Sequence, residues 1–246
     1  MKLDLHYVDP RLVELYDRSN ARGGDTDFYA QLARDKGASV IVDFGCGTGF
    51  LARKLVIKGR KVIGVDPAPA MLAYARRQSG AEHVTWIEGD YRALGAPQAD
   101  LALMTGHVAQ VFLEDDEWTN VLHALYTALR PGGHLAFESR SPGARAWERW
   151  NRAATYTKSD TAHGPLEEWL EVVRVGNGRV VFEGHNIFAQ TGEDQVVESE
   201  LRFRSEAELR RSLSEAGFSV QHVFGDWQRG PVKPISRELV FVARRE

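Results

Sequence analysis

Hydrophobic positions along the chain follow two rhythms. Five short runs are apolar at nearly every position: 40–44, 61–66, 84–88, 100–104 and 134–138. Runs this short and this apolar predict strands covered on both faces, as in a parallel sheet. Several of the intervals repeat at helical spacing instead. Residues 48–58 carry Leu51, Leu55 and Val56, and residues 70–78 carry Met71, Leu72 and Ala75. The clearest stripe runs over 114–129, with Trp118, Val121, Leu122, Leu125, Tyr126 and Leu129. Its opening Glu114-Asp115-Asp116-Glu117 suits the positive end of a helix, and Pro131-Gly132-Gly133 stops it. Two more helices are predicted upstream, at 10–17 and 27–36. Strands alternating with helices predict βαβ units.

The pattern changes after Glu138. Two strand-like stretches, 166–175 and 179–188, are joined by Gly176-Asn177-Gly178, a hairpin signal. A third follows at 196–203. With no helix between them, the three predict an antiparallel insert. A helix resumes over 205–216, with Ser205 and Glu208 as a capping box and Gly217 as its stop. Two final strands are predicted at 220–224 and 238–243. The chain therefore divides into a first α/β part, 1–140, an insert, 141–204, and a segment completing the first part, 205–246.

Composition narrows the partners. The 246 residues carry a net charge of −3, with 43% hydrophobic and 26% charged positions. That is ordinary for a soluble globular protein, and no basic stripe stands out for a nucleic acid. Cys46 is the single cysteine, so an intrachain disulfide and a thiolate metal cluster are excluded, and no metal is expected. The stretch 1–15 carries Lys2, Asp4 and Asp9 and lacks the apolar core of a signal peptide. No apolar run reaches the roughly 18 residues of a membrane span. The expectation is a cytoplasmic protein without a membrane partner.

Candidate chemistry concentrates at the ends of the first three strands. Asp43-Phe44-Gly45-Cys46-Gly47-Thr48-Gly49-Phe50 leaves the first run and opens a helix. Glycines there allow a sharp turn and close approach to a ligand, and a helix start offers free N–H groups. Asp66 ends the second run, where a carboxylate can accept both hydroxyls of a ribose. Asp90, just past the third, can accept from an adenine amine. Any one of these acids can be a plain cap or loop residue. Three at successive strand ends favour a ligand, because open α/β sheets bind at that edge.

These segments resemble class I S-adenosylmethionine-dependent methyltransferases. Asp43 to Gly49 is similar to the family's first motif, and Val65-Asp66-Pro67 with Met71-Leu72 to its acidic motif. Gly89-Asp90 resembles the adenine-binding motif. Leu129-Arg130-Pro131-Gly132-Gly133-His134-Leu135 resembles the segment before the fifth strand. The resemblance implies a doubly wound, Rossmann-like seven-stranded sheet, mostly parallel with the last strand antiparallel, plus the small β insert. It implies S-adenosylmethionine as cofactor and S-adenosylhomocysteine as product. Asp43, Gly45, Gly47 and Gly49 would hold the methionine part, Asp66 the ribose and Asp90 the adenine amine. Met71 and Tyr91 would pack beside the ring, with Cys46, Pro67, Gly89 and Thr105 completing the shell.

The expected reaction is methyl transfer to a nitrogen or oxygen of a small-molecule metabolite. His107, beyond the fourth strand, is the first candidate base. Tyr16 is the second, from a helix able to close over the cofactor. Glu138, Arg140, Trp147 and His185 are candidate substrate contacts. Trp147, His185 and the aromatics around them equally suit the insert's own core. Thr105-Gly106-His107-Val108 lacks the N-P-P-Y motif of many methyltransferases acting on nucleic-acid bases and glutamine. Two other readings stay open. One is a cofactor-binding module without catalysis. The other is a nicotinamide-dependent oxidoreductase, whose G-x-G-x-x-G fingerprint is broken here by Phe50.

Overall fold

The structure, a computed structural model, describes residues 3–19 and 23–246; Lys2, one of the N-terminal charges noted above, lies outside them. After a 3₁₀ turn at Leu5–Tyr7 come α1 (Pro10–Ser19), α2 (Gly24–Asp35), β1 (Val40–Phe44), α3 (Phe50–Lys54), β2 (Lys61–Asp66) and α4 (Pro69–Arg76). The chain continues with β3 (Val84–Glu88), β4 (Ala99–Met104), α5 (Asp115–Ala128), β5 (Leu129–Arg140) and α6 (Arg152–Thr155). It ends with β6 (Thr157–Thr161), β7 (Gly164–Gly176), β8 (Arg179–Phe188), β9 (Glu193–Arg202), α7 (Glu206–Glu215), β10 (Phe218–Phe224) and β11 (Glu238–Arg245).

Seven strands form one sheet in the order β10-β11-β5-β4-β1-β2-β3. Neighbours pair in parallel from β5 across to β3, and β11 runs antiparallel to both β5 and β10. The direction of winding reverses between β1 and β4. Crevices for ligands open at that reversal, beyond the carboxyl ends of the strands.

Helices cover both faces, which explains why the central strands are mostly apolar. On one face Trp118, Val121, Leu122 and Leu125 of α5 and Leu209 and Leu213 of α7 pack against Val42, Ile63, Ala102 and Phe137. On the other, Phe28, Tyr29 and Leu32 of α2 and Leu51 of α3 pack against Ile41, Val62, Leu101 and Val240. Each large side chain buried this way contributes about 1.5–3 kcal/mol relative to exposure.

The insert is a separate four-stranded antiparallel sheet, β6-β7-β8-β9, where the sequence pattern predicts three strands. The extra strand, Thr157–Thr161, is a polar edge and offers no apolar alternation to read. One face of this sheet carries Leu166, Phe188 and Val197, which close over Leu12 and Leu15 of α1. The Arg11 guanidinium carbon sits 4.5 Å from the centre of the Phe188 ring. Hairpin tips hold the same helix from its ends. His163 Nε2 lies 2.9 Å from Glu14, Arg18 donates to the Asp160 carbonyl at 2.6 Å, and Arg11 pairs with Glu193 at 2.9 Å.

Helix α3 is shorter than the predicted 48–58. Its carboxyl end is capped where Arg60 Nη1 donates to the Leu55 carbonyl at 2.9 Å, and Gly59 turns the chain at a φ of +83°. Its start is fixed by Gly49 in the left-handed region at +70°, where an added Cβ would stand 2.2 Å from the Trp86 ring. Gly49→Ala therefore meets both a left-handed backbone and a tryptophan. It should destabilise the fold by about 2–4 kcal/mol, read as a lower urea midpoint. A midpoint equal to wild type would show that Trp86 moves aside freely.

Candidate cofactor and acceptor site

The glycine loop is built from the end of β1 and the end of β2. Gly45 N–H and Cys46 N–H both donate to the Val65 carbonyl, at 2.8 and 3.1 Å. This folds the loop back so that Gly47 N–H reaches Asp66 Oδ2 at 2.7 Å, while Ala68 N–H reaches Asp66 Oδ1 at 2.9 Å. The carboxylate is buried, and burial pushes its pKa up while these two N–H groups pull it down. Gly45 sits at a φ of +75°, and a Cβ there would stand 2.6 Å from Val108, so the loops after β1 and β4 touch. At Gly47 and Gly106 an added Cβ would meet nothing within 4 Å.

Asp43 is buried near the end of β1, one strand over from Asp66. Asp90 lies just past β3. Its carboxylate accepts Arg92 N–H at 2.9 Å and pairs with the Arg92 guanidinium, which holds its pKa below the ordinary carboxylate range. Gly89 N–H donates to the Asp66 carbonyl at 3.0 Å, tying the third strand end to the second. Met71 is buried in a cluster with Val13 and Ala68, beside Tyr7 and Tyr16. Thr48 Oγ1 bonds Asp17 at 2.5 Å. Helix α1 is thus fastened across the loop. The Cys46 thiol is pushed well up by burial and by the Asp43 and Asp66 charges, which suits packing and not nucleophilic attack.

A second polar group lies at the same edge, on the β4–β5–β11 side. His107, at a φ of +63°, donates its backbone N–H to Glu138 Oε1 at 2.7 Å. Its Nε2 lies 3.0 Å from Glu238 Oε2. Glu138 is buried and also accepts the Tyr29 hydroxyl. Burial raises the Glu138 pKa, against the downward pull of His107 and Tyr29, and it raises that of Tyr29 as well. Arg140, two residues on, donates to Gln110 Oε1 at 3.0 Å and lies over the Trp150 ring. Tyr7 and Tyr16 face each other across 6.1 Å, and burial raises the Tyr7 pKa well above its ordinary value.

The structure thus gathers His107, Glu138 and Arg140 beside the helix that carries Tyr16. It adds Glu238, Tyr29 and Gln110, which sequence reasoning missed, and Trp150, one of the aromatics before the insert that could line an acceptor pocket. Only Glu238 left a signal there, as an acid opening the last strand. Trp147 packs edge-on against Phe203 at 4.8 Å. His185 requires a correction. It stacks on Trp169 at 4.4 Å and faces Asp194, whereas its neighbour Gly184 faces His6 of the N-terminal segment. Alternation along a strand sends adjacent side chains to opposite faces. His185 therefore points away from α1 and the crevice, and no acceptor role is carried forward for it.

The crevice fits an adenosyl cofactor. Its loop presents backbone and open space at Gly47, and Asp66 is held with oxygen lone pairs to spare beyond its two N–H bonds. Among the described residues no cluster of His, Cys, Asp and Glu suits a metal ion, and no helix is long and apolar enough to cross a membrane.

Glu138→Gln isolates the buried carboxyl. A carboxyl whose folded pKa is raised contributes stability at low pH that is lost as pH rises through the folded value. The stability difference should therefore shift toward Glu138→Gln as pH climbs above 4.5, the ordinary glutamate value. Urea unfolding at acidic and neutral pH measures it. A difference that does not change with pH would mean that Glu138 titrates as if exposed.

The chain resembles known methyltransferases in sequence and fold. Residues 41–133 match the family model described as a methyltransferase domain. The chain is 31% identical over 169 residues to a malonyl-[acyl-carrier protein] O-methyltransferase of Pectobacterium atrosepticum, covering 60% of this chain and 65% of that protein. It is 27% identical over 229 residues to a glycine/sarcosine N-methyltransferase of Parasynechococcus marenigrum, covering 89% of this chain and 76% of that one. Its fold is similar to that of an S-adenosylmethionine-bound amino pentose methyltransferase from Micromonospora echinaspora. The TM-score is 0.72 at 22% identity, over 95% of this chain and 96% of that one. Residues 41–133 thus carry a methyltransferase domain, and in strand order and fold the chain is similar to S-adenosylmethionine-dependent methyltransferases.

Proposed function

We propose that the protein transfers the methyl group of S-adenosylmethionine to a nitrogen or oxygen of a small-molecule metabolite. The observation that carries this reading is the polar cluster of His107, Glu138, Glu238 and Arg140, set at the sheet edge that also holds the glycine loop. Similarity to enzymes named for glycine/sarcosine and for an amino pentose supports a compact acceptor amine, and similarity to an O-methyltransferase keeps oxygen in view.

The cofactor supplies a methyl group already activated by its sulfonium. Asp66 accepts the ribose hydroxyls, and Asp43 with Gly45, Gly47 and Gly49 holds the methionine part. Asp90, once turned from Arg92, takes the adenine amine, flanked by Met71 and Tyr91. The remaining task is to hold the acceptor lone pair in line with the methyl carbon and to exclude water. Positioning of this kind contributes about 7–11 kcal/mol to lowering a barrier. Residues 141–204 act as the lid, with α1 pressed beneath them. His107 takes the acceptor's proton. With hydrogen on Nε2 directed at Glu238, Nδ1 is left as the basic nitrogen, in the manner of a histidine oriented by an acid.

Asp66→Ala should weaken S-adenosylmethionine binding about 100-fold, the worth of two hydrogen bonds to a charged group; equal titration heats for variant and wild type would refute the ribose assignment. His107→Ala should keep cofactor affinity while lowering kcat about 10²–10⁴-fold. Cofactor binding without any labelled product, across a broad panel of metabolites, would instead leave a binding module.

A further inference from the structure

We propose that the acceptor carries a carboxylate and that Arg140 receives it. This deepens the methyl-transfer reading, on which its catalytic use rests, although the anion subsite itself needs no turnover.

Two arginines at this end of the molecule, Arg204 buried and Arg140 half-buried, are treated differently. Arg204 is 3% exposed and fully provided for: it donates to the Phe112 carbonyl at 2.9 Å and pairs with Asp115 at 3.1 Å. Arg140 has no anion. Its guanidinium donates to the neutral Gln110 amide oxygen at 3.0 Å and lies 5.4 Å from the centre of the Trp150 ring. Among the described residues no carboxylate pairs with it.

This is not for want of acids nearby. Glu238 is the direct partner of Arg140 across the β11–β5 ladder, a position from which opposite charges ordinarily meet. Its carboxylate turns to His107 instead, at 3.0 Å. Glu138, two residues back on the same face of β5, is occupied by the Tyr29 hydroxyl and the His107 N–H. Burial correspondingly draws the Arg140 pKa down, with Glu238 and Glu138 only partly restoring it.

A guanidinium offers five N–H donors in a planar fork, and Gln110 engages one edge of it. A half-buried guanidinium with no carboxylate partner leaves the rest of its fork open to an anion. The fork matches a carboxylate through two parallel bonds, and Trp150 beneath it holds the plane. A monoanion is favoured over a phosphate dianion, because Glu138 and Glu238 stand beside the same group. Glu238 also sets the geometry of the pair. It lies across the ladder from Arg140 and bonds His107, so an acceptor anchored at Arg140 presents its other end to the imidazole.

The test follows the Arg140 Nε–Hε resonance in ¹⁵N-labelled protein saturated with S-adenosylhomocysteine, assigned by its loss in Arg140→Lys. The probes are acetate, its neutral isostere acetamide, and inorganic phosphate. Acetate should shift the resonance saturably and bind at least about tenfold more tightly than acetamide, the equivalent of one charge-assisted hydrogen bond. Arg140→Gln should bind S-adenosylhomocysteine like wild type, which shows it folded, and lose acetate binding measured by titration. No response to acetate, or equal responses to acetate and acetamide, overturns the subsite. Tighter binding of phosphate than of acetate overturns the carboxylate. An acetate response in a protein that methylates nothing sinks the function proposed above and leaves the subsite standing.

Discussion

The carboxylate of Asp66 is the point on which the cofactor end of the molecule turns. It accepts one N–H from the loop after β1 and one from the turn after β2, at 2.7 and 2.9 Å. A buried carboxylate is tolerable only with such donors, and two buried N–H groups are tolerable only with such an acceptor. Each side of the crevice thus depends on the other. Gly89, bonded to the Asp66 carbonyl, extends the dependence to the third strand. The loops proposed to cradle a nucleoside are therefore held by one side chain and the main-chain N–H groups it accepts.

Over this cradle the N-terminal segment is layered between two sheets. Leu12 and Leu15 face the insert, and Val13 faces Ala68 and Met71 on the cofactor side. Polar ties at its ends, such as His163 with Glu14 and Arg11 with Glu193, are largely solvent-facing. Exposed pairs of this kind contribute only about 0–1 kcal/mol each. The apolar contacts carry the docking, and the polar ties set its register.

Much of this was readable in sequence order. The first three strands match the observed boundaries because their apolar runs end sharply in turn residues. The Ser205–Glu208 capping box is present as read, with both of its bonds. The acidic positions Asp43, Asp66 and Asp90 fall at adjoining strand ends, because β1, β2 and β3 are neighbours in the sheet, as sequential strands commonly are. What escaped was long-range. Tyr29 meets Glu138 across 109 residues, and Glu238 meets His107 across 131. No local pattern encodes such pairs. The sequence points to Asp90 as an acceptor for adenine without disclosing that Arg92, only two residues on, already pairs with it. His185 shows a different limit. Period-two alternation tells which residues share a face of the insert, but not which face turns inward.

The position of β11 has a consequence for how the molecule comes into being. It is made after β10 yet lies between β10 and β5, and it brings Glu238 to the edge where His107 waits. During synthesis β5 must stand with an open margin while the insert, α7 and β10 emerge, and β10 has no partner until residues 238–245 slot in beside it. The acceptor side of the site is consequently complete only once the last strand is made, whereas the three strands proposed to cradle the nucleoside precede it in the chain.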